Sequence, residues 1–392
     1  MRVRFTPSVP HGTVAAPPSK SMAHRYLIGA AYSADSTVYG VADSEDMFAT
    51  LDGLRALGAR AERTEDGYRL GGLSDTGGAT FSCRESGSTL RFLLPTALRR
   101  SEPVTLTGSP RLLERGVGVY EQLCGAHGLY FKQNESGITV RGPLTSGRFT
   151  VAGNISSQFI SGLMFALPTL QGDSELVIVD GIESGSYIEL TRKALSDFGI
   201  KIEKTDTGFF IPGGQTYQNR TLRVEGDWSN AAFLSALGAE VTGLDAHSAQ
   251  GDKIYPTLFD KLGQAPIDLS DCPDLGPVLF ALAAARGGGE FIGTRRLKIK
   301  ESDRSEAMKA ELAKFGIDTK IEEDRVCIAG TLHPPTEPLC GHNDHRIVMA
   351  LAVLCAQMGG EIDGAEAVSK SYPDFFETIE KLNVQVKKIE TR

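Results

Sequence analysis

The residues best suited to chemistry in this sequence are cations, hydroxyls and carboxylates gathered at the starts of apolar helices. In Pro17-Pro18-Ser19-Lys20-Ser21-Met22-Ala23-His24-Arg25, Ser19 can cap a helix, Lys20 stands at its entrance, and Ser21 and Arg25 share one face at i, i+4. Basic residues there oppose the helix dipole, which argues for a ligand rather than for helix stability. Glu85-Ser86-Gly87-Ser88-Thr89-Leu90-Arg91 is a glycine-containing turn opening an apolar helix. The missing Cβ at Gly87 would let a ligand approach the backbone, and a methyl group added there would project into its pocket. Arg111 follows a turn, Ser156-Ser157-Gln158 opens another apolar helix with groups that suit a phosphate, and Ser184 and Tyr187 precede the next helix.

The second half carries the acid–base candidates. Asp271 and Asp274 precede the apolar run Pro277 to Ala285, where one or both can equally cap a helix. In Lys300-Glu301-Ser302-Asp303-Arg304, Glu301 and Arg304 are three apart, and Ser302 can be the cap. Asn343-Asp344-His345-Arg346 opens an apolar helix, and Lys370-Ser371-Tyr372-Pro373-Asp374 opens the last one, with Pro373 in its first turn. Helix N termini expose unpaired N–H groups and partial positive charge, so several of them converging would hold a strongly anionic ligand. Lys20, Arg25, Arg111, Lys300, Arg304, Arg346 and Lys370 supply the cations.

The elements that must position these groups recur along the chain. A helix ending in Leu-Gly or Phe-Gly leads into short alternating strands around a turn, starting at Leu57-Gly58, Gly128, Phe198-Gly199 and Phe315-Gly316, with weaker echoes at Leu262-Gly263 and Leu382-Asn383. This spacing predicts six α/β units of about sixty-five residues packed as two groups of three, with a seam near Glu225-Gly226-Asp227-Trp228.

Composition narrows the class. The 392 residues suffice for two domains, and a hydrophobic content of 41% suits a globular chain. The start of the chain has no stretch suited to a signal peptide, and the longest apolar runs are too short to span a membrane, so a cytoplasmic protein is expected. Six scattered cysteines include no Cys-x-x-Cys pair, and His342 and His345 lack the companion Glu of a zinc motif, so no metal is expected. A net charge of −8 argues against nucleic acid as a partner and requires a local cationic cluster for any anionic ligand.

These motifs, in this order, resemble the enolpyruvyl transferase family, and within it the branch acting on shikimate 3-phosphate. The likeness runs from Pro17 to Phe376 and rests on P-P-S-K-S-M-A-H-R, L-T-G-S-P-R, S-S-Q-F, E-G-D-W-S-N-A-A, K-E-S-D-R, N-D-H-R and S-K-S-Y-P-D-F-F. It implies an inside-out α/β barrel of two domains, each with three βαβαββ units, over residues 17–226 and over 1–16 with 227–392. The active site would lie in the cleft between them.

The implied activity is transfer of an enolpyruvyl group from phosphoenolpyruvate to shikimate 3-phosphate, in a monomer needing neither metal nor organic cofactor and no membrane. Lys20, Ser21, Arg25, Ser156, Ser157, Gln158, Ser184, Tyr187, Asp274 and Lys300 would bind shikimate 3-phosphate. Lys20, Gly87, Arg111, Gln158, Arg304, Arg346 and Lys370 would bind phosphoenolpyruvate, while Asp274, Glu301 and Lys20 would move protons. Glu85, Ser88, Phe92 and Arg296 depart from residues common in the family at those positions, Asn, Thr, Pro and Asn respectively. Two rival readings are the family branch acting on UDP-N-acetylglucosamine and a non-catalytic binder of phosphate esters. The first carries Lys-Asn where this chain has Lys20-Ser21, and a cysteine in the loop that here reads Leu112 to Val117 without one.

Overall fold

The repeated glycines owe their place to a close backbone approach. The hairpins Arg60–Thr64 with Gly67–Gly71, Tyr130–Asn134 with Gly137–Arg141, and Glu203–Thr205 with Gly208–Ile211 each resume on a glycine, at φ +156°, +156° and +153°. A Cβ built at Gly67 or Gly208 would stand 2.0 Å from the carbonyl oxygen of Val38 or Leu176, and one at Gly137 would stand 2.5 Å from that of Leu106. The adjoining strand therefore packs on bare backbone, which only glycine offers.

The computed structural model describes residues 1–389. The chain forms two compact units, one of Lys20–Val224 and one of Met1–Ser19 with the residues from Glu225 onward. The first holds helices α1 (Lys20–Tyr32), α2 (Glu45–Ala56), α3 (Gly87–Ala97), α4 (Pro110–Glu114), α5 (Gly118–Ala126), α6 (Ser157–Ala166) and α7 (Gly185–Asp197). The second holds α8 (Trp228–Ala236), α9 (Tyr255–Lys261), α10 (Gly276–Ala285), α11 (Arg304–Lys314), α12 (His345–Met358) and α13 (Phe375–Lys381). Pro373 thus lies ahead of the last helix, whose N-cap is Asp374, and Tyr187 lies inside α7 rather than before it.

Each four-stranded sheet joins a parallel pair to an antiparallel pair, which in all but one sheet is a hairpin. Arg148–Ala152 runs parallel to Ser174–Val179 across the α6 crossover, and Ser174–Val179 then pairs antiparallel with Gly208–Ile211 of the hairpin. The Lys20–Val224 unit contains three such sheets, so its architecture is a repeated α/β unit, and the sheets stay open rather than closing into a barrel. In the other unit the chain's first strand, Arg2–Thr6, stands between Gly360–Asp363 and the C-terminal strand Gln385–Ile389. The echo at Leu382-Asn383 is therefore a true half-hairpin completed by the N terminus, with Asn383 at φ +65°.

The echo at Leu262-Gly263 does not develop. Gly263 takes φ +77°, yet the chain runs straight into Ile267–Asp268 of the next sheet. The sheet that a hairpin here would have extended has two strands, Thr13–Ala15 and Glu240–Thr242. Pro266 withholds the N–H that a ladder needs.

Packing sets the helix starts. Helices α10 and α12 are apolar on nearly every face and buried over almost their whole length, so they form the centre of their unit. Phe92 and Leu93 of α3 and Phe159, Ile160 and Leu163 of α6 do the same in the other unit. Fixed this way, the polar first turns of these helices have little freedom to move. Among the described residues no helix is long and apolar enough to cross a membrane.

Candidate active site

In the Lys20–Val224 unit the polar first turns of α1, α2, α3, α6 and α7 are stitched into one network. Arg25 is 2% exposed and spends three donors on protein oxygens: Nε on Thr191 Oγ1 at 2.8 Å, Nη1 on the Ser21 carbonyl at 2.7 Å and Nη2 on the Tyr187 carbonyl at 3.0 Å. Burial lowers its proton affinity to about 9, so it remains charged at neutral pH. Lys20 pairs with Asp46 at 2.9 Å. Ser156 caps α6, and Ser184 stands before α7 in the left-handed region at φ +55°. Gln158 receives Arg91 Nη1 at 2.9 Å and donates to Ser88 at 3.0 Å, which joins α6 to α3. Arg111 lies in the short helix α4, one turn before Arg115.

Gly87 departs from its expected surroundings. A Cβ there would meet Arg91 Nη1 at 2.7 Å and Arg115 Nη2 at 3.0 Å, so the space beside it belongs to two guanidinium groups rather than to an open pocket. Arg91 is 3% exposed, lies over the Phe159 ring, and also donates to the carbonyls of Arg115 and Gly116.

In the other unit the carboxylates and cations predicted from sequence meet directly. Asp274 Oδ1 accepts Lys300 Nζ at 3.0 Å and Arg304 Nη1 at 2.8 Å, while Oδ2 accepts Arg346 Nη2 at 3.2 Å. Burial opposes ionisation of Asp274, but Arg346, Lys300 and Arg304 overcome it and hold the carboxyl well below the usual carboxylate range. Arg304, 1% exposed, also pairs with Glu301 at 2.5 Å and with Asp344 at 2.9 Å. Burial lowers the Lys300 ammonium to about 8, with Asp274 opposing that shift. Lys370 donates to the Asn343 carbonyl.

The caps fall differently from expectation. Asp303 rather than Ser302 caps α11, and Ser302 donates to Asp344 at 3.0 Å. Asp344 caps α12 through the Arg346 amide. No side chain caps α10, so Asp274 is left to the cations, and Asp271 is exposed. Glu301, Asp344 and His345 bring ligand-type atoms within 4.8 Å of one another, but Arg304 already serves as the cation for both carboxylates.

Sequence reading missed Asp46, Asp344, Arg91, Arg115 and Asp252. Asp252 is 4% exposed and accepts the Ser229 hydroxyl on Oδ2, while its Oδ1 is buried without a partner. Burial, then the nearby Asp274, pushes its carboxyl up to about 7 against the pull of Arg346. A polar Ser-x-Gln-x-Asp run just ahead of a helix was the available signal.

Comparison with known proteins places the chain in a family. The family described as EPSP synthase (3-phosphoshikimate 1-carboxyvinyltransferase) matches residues 6–264 and 234–379. The 3-phosphoshikimate 1-carboxyvinyltransferase of Clostridium novyi is 38% identical over 421 aligned residues covering 97% of each chain, and that of Clostridium kluyveri is 39% identical over 98% of each. An EPSP synthase structure from Acinetobacter baumannii superposes with a TM-score of 0.78 at 19% identity over 100% of both chains. The enolpyruvyl transferase NikO of Streptomyces tendae gives 0.78 at 15% identity, over 100% of this chain and 99% of that one. At such identities these structures speak for the fold alone. The length, identity and family match together establish that this chain is a member of the EPSP synthase family.

Proposed function

We propose that this protein transfers the enolpyruvyl group of phosphoenolpyruvate to the 5-hydroxyl of shikimate 3-phosphate and releases phosphate. The observation that carries the reading is a partly buried carboxylate, Asp274, ringed by Lys300, Arg304 and Arg346, in a chain of this family. The cations suit a reaction between two polyanions, and the carboxylate suits a reaction that must take a proton from a hydroxyl.

In this reading the 5-oxygen attacks C2 of phosphoenolpyruvate and passes its proton to Asp274. Glu301 or Lys20 delivers a proton to the methylene carbon, giving a tetrahedral ketal phosphate. Loss of phosphate and of one methyl proton then restores the enol ether. Arg304 and Arg346 receive the donor carboxylate, while Lys20, the Gly87 backbone, Arg111 and Lys370 receive its phosphate. Ser21 and Arg25 hold the shikimate carboxylate, and Ser156, Ser157 and Ser184 its 3-phosphate, with Gln158, Tyr187 and Lys300 completing that pocket.

Three cations make Asp274 a weak base as long as the donor is absent. A donor carboxylate that draws Arg304 and Arg346 toward itself strips Asp274 and Glu301 of counter-ions and raises their proton affinity. Binding thereby creates the base. The loop Leu112 to Val117 lacks a cysteine, which disfavours UDP-N-acetylglucosamine as the acceptor. The test is phosphate release from phosphoenolpyruvate with each acceptor supplied separately. Release with shikimate 3-phosphate is expected, and release only with UDP-N-acetylglucosamine, or with neither, overturns the reading.

A further inference from the structure

Beneath the entrance of α3 runs a line of buried hydrogen bonds that the reaction scheme does not use. His24 Nδ1 lies 2.8 Å from Thr50 Oγ1, Thr50 Oγ1 lies 2.7 Å from Thr89 Oγ1, and Thr89 Oγ1 donates to Ser86 Oγ at 2.8 Å. Ser86 also accepts the Thr89 amide at 3.2 Å and is the N-cap of α3, the residue before Gly87. None of the four is more than 1% exposed. The line crosses α1, α2 and α3.

Proton counting gives the line a direction. Each hydroxyl has one proton, and that of Thr89 goes to Ser86, so Thr50 must be the donor to Thr89. The Thr50 proton being spent, His24 Nδ1 must carry the proton it shares with Thr50. Neutral His24 is then the Nδ1–H tautomer with a bare lone pair at Nε2, and Nε2 is indeed buried with no partner. Burial, with Lys20 and Arg25 close by, keeps the ring neutral. A flipped ring, or the Nε2–H tautomer, would break the sequence of donors at its first member.

We propose that His24, Thr50 and Thr89 are positioning residues for the donor phosphate, locking the Ser86 cap so that α3 presents the Gly87 backbone in one geometry. The proposal rests on the functional reading above, in which Gly87 receives that phosphate. None of the three touches substrate. The Ser86 cap that they lock adjoins Gly87, so the donor should register a break in the line far more than the acceptor, assigned to α1, α6 and α7.

A double-mutant cycle tests this in the full-length protein, with wild-type turnover on both substrates measured first. Absence of that turnover would sink the functional reading and leave the tautomer readout below intact. Thr89→Val is expected to raise KM for phosphoenolpyruvate roughly five- to tenfold, the worth of a buried hydrogen bond, with KM for shikimate 3-phosphate within about twofold of wild type. Thr89→Ser should restore the donor KM. Thr50→Val should behave as Thr89→Val, and the double variant should be little worse than either, since one break interrupts the line. Multiplicative losses, equal weakening of both substrates, or an unchanged donor KM in a folded Thr89→Val protein overturns the proposal. Nitrogen NMR supplies a readout independent of activity and of the variants' folding. His24 in the wild-type protein should be the neutral Nδ1–H tautomer at pH 7 to pH 9, and an Nε2–H tautomer there refutes the direction of the line.

Discussion

Replacing Asp252 by Asn should stabilise the protein at alkaline pH and leave it nearly unchanged at acidic pH. The folded state holds this carboxyl's proton up to about 7, whereas its ordinary value is 3.8. Between those values the native chain keeps a proton that the unfolded chain has released, so the stability contributed by this protonated carboxyl falls as pH rises through the window and is fully lost above it. At about 1.4 kcal/mol per pH unit the cost reaches about 4 kcal/mol above pH 7, and about 3 kcal/mol of it develops between pH 5 and pH 8. An amide does not titrate there, keeps the shape, and still accepts the Ser229 hydroxyl through its oxygen. Denaturant unfolding of both proteins at pH 5, 6, 7 and 8 measures the difference, and all other titrations cancel in the comparison. The single tryptophan, Trp228, opens α8 in the same unit, so its fluorescence reports the transition that matters even if the two units unfold separately. A difference that stays constant from pH 5 to pH 8 would mean that Asp252 is ionised throughout, and the argument from burial beside Asp274 would fall.

Four further perturbations follow from the same geometry. Asp274→Asn should lower turnover by 10²- to 10⁴-fold while shikimate 3-phosphate still binds in calorimetry, and turnover within about threefold of wild type removes it from the mechanism. Arg346→Ala should weaken phosphoenolpyruvate by roughly 1.5–3 kcal/mol in apparent KM and spare the acceptor, whereas equal effects contradict its assignment to the donor. Lys300 loses its proton near pH 8, so kcat/KM for shikimate 3-phosphate should fall above that pH, and Lys300→Arg should move this limb out of range if the lysine causes it. Gly87→Ala should displace Arg91 and Arg115 and raise the donor KM about tenfold with little change for the acceptor. An unchanged donor KM would mean that the Gly87 turn does not line the donor pocket.

Local features of the chain were legible where one residue type has one physical use. The turn glycines at 67, 137 and 208 announce hairpins because nothing else fits against a neighbouring carbonyl, and the helix starts at Lys20, Gly87, Ser157 and His345 lie where polar residues give way to apolar runs. Misreadings arose where neighbours are chemically interchangeable. Ser302 and Asp303 can both cap α11, and only the register of one residue decides for Asp303. The hairpin expected after Leu262-Gly263 failed although a signal against it was visible, since Pro266 interrupts any alternation. Pairing of Arg2–Thr6 with both Gly360–Asp363 and Gln385–Ile389 joins the two ends of the chain, and no local pattern encodes it.

The candidate site was legible in its cations and much less so in its counter-ions. Lys300, Arg304 and Arg346 stand out because the polar runs Lys300 to Arg304 and Asn343 to Arg346 each lead into a helix start. Asp344 and Asp252 look like ordinary capping and loop residues, and their importance lies in partners tens of positions away, Arg304 for one and Ser229 for the other. Without them the cluster reads as an excess of positive charge waiting for ligand. With them, Asp274, Glu301 and Asp344 balance Lys300, Arg304 and Arg346 charge for charge, and Asp252 adds a carboxyl whose neutrality depends on pH. A neutral, largely buried cluster is stable in the absence of ligand, whereas three uncompensated cations there would not be. On the proposed assignment of Arg304 and Arg346 to the donor carboxylate, an anion would enter only by exchanging partners, and affinity for the donor and the basicity of Asp274 would be set by one competition for the same two guanidinium groups.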